Sequence, residues 1–404
     1  MTGARLYLFD DHGARRWAPF TLTRPAGELA FGAMLLRERT ERAFGLPCAG
    51  HLTRPALAGF DEPGAPRVVE ADDLPRDETR VLICSRAVLT RPVGALPRRT
   101  TRLAIEGRTI GWVVAPGEPV PPDEQLRFPG RNDDGSGEEL AGHVLHNPWD
   151  LLAEGPARIA EDLRALALPD TAAPGVVRIG DEALTLGDGA GIEPGVVVDT
   201  RDGPIHLGDG VRVEGPGRLV GPLVVRPGSR ILGGTVGSSF IGPVCKVRGE
   251  MADSILLGFV NKAHDGHLGH AVLGRWVNLG AMTTNSDLKN NYGSVRVWTL
   301  DGERDTGLLK VGCFLGDHVK TGIGTMINTG TVIGAGSNVF GGLMPPDVVP
   351  PFSWGSGTDL RDYRLDRFLE AAERAMVRRS QVLPDGMRAL LSRAWSETRV
   401  RRAV

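Results

Sequence analysis

The stretch "LGDGVRVEGPGRLVGPLVVRPGSRI", residues 207–231, places an aliphatic side chain at every sixth position: Leu207, Val213, Leu219, Val225 and Ile231. Between them stand glycine, proline, aspartate and arginine. Shorter ladders of the same step run from Leu186 through Ile192 to Val198, and from Leu315 through Thr321, Ile327 and Ile333 to Val339. A fixed short period of this kind is the signature of a parallel β-helix. Each six-residue unit makes one short strand and one turn, and three units close one triangular coil. The aliphatic residue points inward and stacks on its counterparts above and below, while glycine and aspartate serve the tight turns. A sandwich or propeller would instead alternate with period two over longer strands.

Working outward, "SDLKNNYGSVRVWTLDGERDTGLLK", 286–310, breaks the rhythm and predicts an inserted loop with a hairpin turning at Asp301 and Gly302. Long excursions from a solenoid tend to lie on its binding face. Upstream, residues 1–150 alternate strand-like runs ("RLYLFD", "RVLICSRAVL", "RTIGWVVA") with a helix-like one, "ELAFGAMLLRERTERAFG", an order that predicts an α/β domain. A Pro, Gly and acid rich tract, 115–140, reads as a surface loop. Residues 151–175 form a helical linker, 176–345 the β-helix, and 346–404 a helical tail whose Leu365, Phe368, Leu369, Ala372 and Met376 share one helix face. A second tail helix starts after Pro384.

Composition narrows the function. The net charge of −2 with both signs interleaved offers no basic field for nucleic acid. No apolar run approaches the ~20 residues of a membrane span, and the start "MTGARLYLFD" lacks the pattern of a secretion signal, so the expectation is a cytoplasmic protein. Cys48, Cys84, Cys245 and Cys313 are scattered without a CxxC pair, which argues against zinc and disulfides. Of 47 basic residues only five are lysine: Lys246, Lys262, Lys289, Lys310 and Lys320. All five fall between positions 246 and 320, and since a lysine is a compact point charge where arginine is a planar fork, the window points to chemistry there.

That window holds "NKAHDGHLGH", 261–270, with His264, His267 and His270. Three readings compete. A metal cluster is disfavoured, because positions i, i+3 and i+6 do not converge on a strand and Asp265 alone accompanies them. Polar turn residues on a solenoid surface suit His267 or His270. A general base suits His264, beside Lys262.

With the ladder and "NKAHDGHLGHAVLGRWVNLGA" in view, the second half resembles the acetyltransferase domain of bifunctional N-acetylglucosamine-1-phosphate uridyltransferase / glucosamine-1-phosphate acetyltransferase. Over nearly its full length, through "FTLTRPAGELAFG", "PWDL", "CKVRGE", "DLKNNYG" and "VPPFSWG", the chain resembles a divergent bacterial branch of that group, described as sugar nucleotidyltransferases. The resemblance implies a nucleotidyltransferase-like α/β domain, a left-handed parallel β-helix and homotrimers with active sites between neighbouring solenoids. It implies a sugar phosphate role for Arg226 in "VVRPG", for Lys246 or Lys262, and for Asn278 in "VNLGA". His264 takes the place of the catalytic histidine and the Ala281 backbone that of an acyl-CoA contact. The family's Asn-Tyr-Asp-Gly is matched either by Asn285, Ser286 and Asp287 or by Asn291, Tyr292 and Gly293.

The implied chemistry is acetyl transfer from acetyl-CoA, as co-substrate, to an amino sugar phosphate such as glucosamine-1-phosphate. It needs a base near neutrality, which histidine supplies, and N–H donors for the oxyanion. In the bifunctional reading a nucleoside triphosphate is used in front, yielding a UDP-sugar for cell-envelope precursors. Nucleotidyltransferases cradle the triphosphate on a Gly-rich loop after the first strand. Here that slot reads "LFDDHGARRWAPFTLTRP", with one glycine. Its candidates are Arg15, Arg16 and Arg24 for phosphates, and Asp10 and Asp11 for Mg²⁺, which is needed only if this domain is active. Two other readings stand beside this one: a sugar-1-phosphate nucleotidyltransferase whose β-helix only trimerises it, and a non-catalytic trimeric scaffold.

Overall fold

The repeat ladder is the interior of a parallel β-solenoid. The structure is a computed structural model that describes residues 3–131, 135 and 137–402, with side chains through Arg399. One face of the solenoid is a nine-stranded parallel sheet, running from Leu184–Leu186 through Leu223–Val225 and Val272–Leu273 to Val348–Val349. Leu207 pairs with Val225 one coil later, a step of three six-residue units. Leu207, Val213, Leu219, Val225 and Ile231 are all fully buried in one cluster with Leu315, Ile327, Ile333 and Val339. Each contributes roughly 1.5–3 kcal/mol of burial, so the column of rungs is the main cohesive element of this domain.

One corner of the coils is turned at positive φ, by Gly210, Gly228 and Gly336 in some coils and by residues other than glycine, Val244, Phe259, Trp276, His318 and Phe352, in others. In the latter that conformation costs roughly 1–2 kcal/mol per residue, and aromatic stacking offsets it. The Phe259 and Trp276 rings stack at 4.0 Å between centroids, and Phe368 of the tail meets Phe352 edge-on at 5.0 Å. The tail helix Leu365–Val377 buries Phe368, Ala372 and Met376 against this corner. A second helix, Asp385–Arg402, follows Pro384. Among the described residues no helix is long and apolar enough to cross a membrane.

The excursion leaves the solenoid after Ser286, is closed at its neck by a bridge between Leu288 and Lys310, and forms the expected hairpin, Arg296–Thr299 with Gly302–Asp305. Its tip and outer strand are exposed, while its inner side is packed. Val295, Val297 and Val311 share a core with Trp17 and Phe20 of the first domain, so the insertion serves as a docking surface.

The first domain is built on a six-stranded mixed sheet, ordered 48–52, 4–9, 79–84, 108–114, 101–105, 138–139. The helix-like run 28–45 is helical only at Leu36–Phe44. Ahead of it Ala30–Phe31 and Met34–Leu35 pair as a miniature hairpin, because Gly32 turns at φ 67° and Asp162 accepts the Ala33 N–H. Within 115–140, Asp123–Arg127 is a short helix, and residues 132–134 and 136 of that tract lie outside the described residues. The linker forms two helices, Asp150–Ala153 and Gly155–Leu166.

Buried ion pairs join the parts. Arg24 donates to both Glu62 and Asp317, with Glu62 also receiving Arg275 at 3.0 Å and Asp317 the Thr23 hydroxyl at 2.6 Å. Burial works to raise the Asp317 carboxyl, yet Arg24 holds it below the usual range. Leu57 and Phe60 in front, Phe259 and Trp276 of the solenoid, and Phe368 and Leu390 of the tail close a common core.

Candidate functional site

The strand Asn261–Lys262 ends in the turn that carries His264. Lys262 pairs in register with Val247, an inward rung, and is itself buried. Its ammonium donates to the carbonyls of Arg248, at 2.8 Å, and of His264. Burial pushes it down to about 8. A lysine in the lumen thus fastens the turn from inside, while the His264 side chain is exposed and makes no hydrogen bond or ion pair among the described residues. Lys262 is accordingly a positioning residue for the turn, and its ammonium is occupied.

The next face holds the other two histidines, both against carboxylates. His270 Nδ1 lies 2.8 Å from Asp287 and its Nε2 3.7 Å from Asp253; His267 faces Glu250 at 3.5 Å. The His270 bond holds the Asp287 carboxyl below the usual range. Gly269 makes the cluster possible, since a Cβ there would stand 2.6 Å from both Asp287 Oδ2 and His267 Nε2. Sequence reasoning missed Glu250 and Asp253, and singled out Asp287 only as part of a motif match. The coil register that pairs Glu250 with His267 is the signal that could have found the first of them.

The residues expected to hold a sugar phosphate are distributed. Lys246 and Asn278 stand on the same outward ladder as Asn261, and Asn278 accepts the Asn261 amide at 3.0 Å. Arg226 reaches the first domain instead, donating to Glu38 at 2.6 Å, while Glu38 also caps the Leu35 N–H. Asn291 and Tyr292 are exposed in the excursion. Of the acyl-CoA candidates, Asn285 is buried with its amide bonded to both the N–H and the carbonyl of Gly269, and the Ala281 carbonyl accepts the Gly324 N–H at 2.8 Å.

In the first domain the candidates are engaged internally. Arg15 donates to the Asp10 carbonyl and to Asp123, Arg16 pairs with Asp301, and Arg24 is the buried centre of the network above. Asp11 is held by Nε and Nη2 of Arg86 and accepts the Ala14 N–H. Asp10 accepts Thr53 Oγ1 at 2.6 Å on one oxygen, and its other oxygen is buried without a partner. The pair therefore offers a cation one free oxygen, well short of the oxygen shell that magnesium takes. Among the described residues no three His, Cys, Asp or Glu side chains are grouped to hold a metal.

Comparison with known proteins gives the following. The family model "Sugar nucleotidyl transferase" matches residues 6–169. A bifunctional sugar-1-phosphate nucleotidylyltransferase/acetyltransferase of Sulfurisphaera tokodaii is 32% identical over 96 residues, which is 24% of this chain and 24% of that protein. The chain thus matches about a quarter of the length of that curated relative. A UDP-N-acetylglucosamine acyltransferase from Campylobacter jejuni aligns with 54% of this chain and 94% of its own, at 15% identity and a TM-score of 0.21. The solenoid assignment rests on strand pairing within this chain. Residues 6–169 carry the sugar nucleotidyl transferase family match that the sequence resemblance implied, and the recognised relatives include a protein that combines nucleotidylyl transfer with acetyl transfer.

Proposed function

We propose that the solenoid transfers an acetyl group from acetyl-CoA to the amine of an amino sugar phosphate such as glucosamine-1-phosphate, with His264 as base. The amine nitrogen attacks the thioester carbonyl, the C–N bond forms as the C–S bond breaks, and coenzyme A leaves as the free thiol. His264 takes the proton that the amine loses and returns it to the departing sulfur. The observation that carries this reading is the His264 turn: an exposed imidazole on a backbone fastened from within by Lys262. Held geometry with a free side chain is what a base needs before its substrate arrives. Homotrimers of this chain, with the acyl donor lying between solenoids, complete the proposal.

The test is thiol release from acetyl-CoA with glucosamine-1-phosphate, for the wild type and His264→Ala. The expected outcome is a loss of roughly 10²–10⁴-fold with an unchanged melting temperature; turnover within a few-fold of wild type refutes the role of His264. A second reading, sugar-1-phosphate nucleotidyl transfer by the first domain, is favoured by the family match over residues 6–169. Release of pyrophosphate from a nucleoside triphosphate, mixed with a sugar 1-phosphate and Mg²⁺, is its readout.

A further inference from the structure

One face of the solenoid presents an outward ladder of cations and amides: Arg230, Lys246, Asn261, Asn278, Lys320 and Asn338 stand at paired positions in successive coils. The tail helix Leu365–Val377 and the residues just after it cover the middle of this ladder. Between them lies a cleft of about 440 Å³, lined by Lys246, Lys320, Arg374, Arg378 and Arg379 and by no carboxylate.

These cations are poorly compensated. Arg374 is paired with Glu370, and Arg379 donates to Asn261 Oδ1 at 3.3 Å. Lys246, Lys320 and Arg378 make no side-chain hydrogen bond or ion pair among the described residues. Crowding is felt at Lys246, whose ammonium is depressed by Arg379, then by burial and Arg230; at Lys320 burial alone pushes the ammonium down to about 8. Folding gains nothing from gathering like charges in a partly desolvated cleft. The tail helix nonetheless brings Arg374 there while Phe368, Ala372 and Met376 anchor its other face.

We propose that this cleft binds the diphosphate group of a small phosphorylated ligand. Lys246, Lys320, Arg378 and Arg379 bring four positive charges with no opposing carboxylate in the lining. One phosphate carries about two negative charges near neutrality, which leaves the cleft half neutralised, and a diphosphate group spreads more anionic oxygens over the four cations. The guanidinium forks suit bidentate contact with phosphate oxygens and the lysines supply point charges. The volume falls within the ~300–1,000 Å³ of small-molecule sites and leaves room beyond the diphosphate. Inorganic pyrophosphate, a nucleoside diphosphate and coenzyme A share this chemistry. The proposal stands whether or not His264 transfers an acyl group, because binding is read without turnover.

The experiment is calorimetric titration of the full chain at fixed ionic strength with sodium pyrophosphate, and with sodium sulfate as control, followed by uridine diphosphate and coenzyme A. The expected result is pyrophosphate binding at least about tenfold tighter than sulfate, weakened about tenfold or more in Lys320→Met and in Arg378→Ala. Arg361→Ala, at an exposed ion pair with Asp359 elsewhere on the surface, should bind as the wild type does. Tighter binding of uridine diphosphate or coenzyme A than of pyrophosphate assigns the remaining volume to that molecule's organic part; equal affinity assigns the cleft to the diphosphate alone. Equal binding of sulfate and pyrophosphate, or unchanged affinity in both cleft variants, overturns the proposal. Arg378 is exposed, so its variant keeps the test open if Lys320→Met does not fold.

Discussion

The first domain and the cleft beneath the tail helix both gather cationic side chains, arginine alone in the first and arginine with lysine in the second, and they dispose of the charge in opposite ways. In front, Arg24 is buried between Glu62 and Asp317, Arg39 between the Phe31 carbonyl and Asp162, and Arg86 against Asp11. Under the tail helix, Lys246, Lys320 and Arg378 line one cleft with no carboxylate in the lining. A cation closed by an internal carboxylate is part of the architecture, because removing either partner strands the other in a dry interior. A cation left open is a standing cost to the fold, and a ligand can recover it. The residue type alone does not distinguish the two cases; the partner does.

The comparison can be broken first in the front domain. Asp11→Asn removes one side of the closed pair and leaves the Arg86 charge buried, so urea denaturation should show a loss of about 3 kcal/mol; a loss below about 1 kcal/mol would mean that water reaches this pair. Lys262, the cation inside the solenoid, sharpens the contrast by pH. Its folded value of about 8 lies below the ~10.4 of an exposed lysine. Between those values the unfolded chain binds more protons than the native one, so stability rises with pH through this window. The rise attributable to Lys262 should reach about 3 kcal/mol at most, and the wild-type curve should climb relative to that of Lys262→Met. Parallel curves would show that the ammonium is not desolvated. A smaller effect is expected at Gly269, where alanine would press on Asp287 and His267. A loss of about 1–3 kcal/mol in thermal unfolding marks that imidazole–carboxylate cluster as packed structure, and no loss marks it as loose.

The sequence made the solenoid legible because its rungs repeat locally. Leu207, Val213, Leu219, Val225 and Ile231 are six apart and all sit inside. The hairpin at Asp301 and Gly302 and the buried face of the tail helix were readable for the same reason. The ladder that lines the cleft was not, since its members, Lys246, Asn261, Asn278, Lys320 and Asn338, are separated by unequal steps as coil length varies and the excursion intervenes. Partnerships were equally hidden. Arg24 meets Asp317 and Arg226 meets Glu38 across very long stretches of chain, so both arginines read as phosphate ligands when only their neighbours in sequence were visible. Lys262 read as a phosphate ligand for the same reason, whereas its ammonium serves the backbone of the His264 turn. The clustering of lysines was visible in the sequence and silent about which face each would occupy.

The most direct test of the account is to measure the unfolding free energy of Arg24→Met and Lys320→Met side by side at neutral pH without ligand. The account predicts opposite signs: a loss of roughly 3–5 kcal/mol for Arg24→Met, which strands two buried carboxylates, and a gain of about 1–2 kcal/mol for Lys320→Met, which removes a charge the fold holds at a penalty. Losses of similar size in both variants would contradict it, because Lys320 would then be closed by a partner inside the fold.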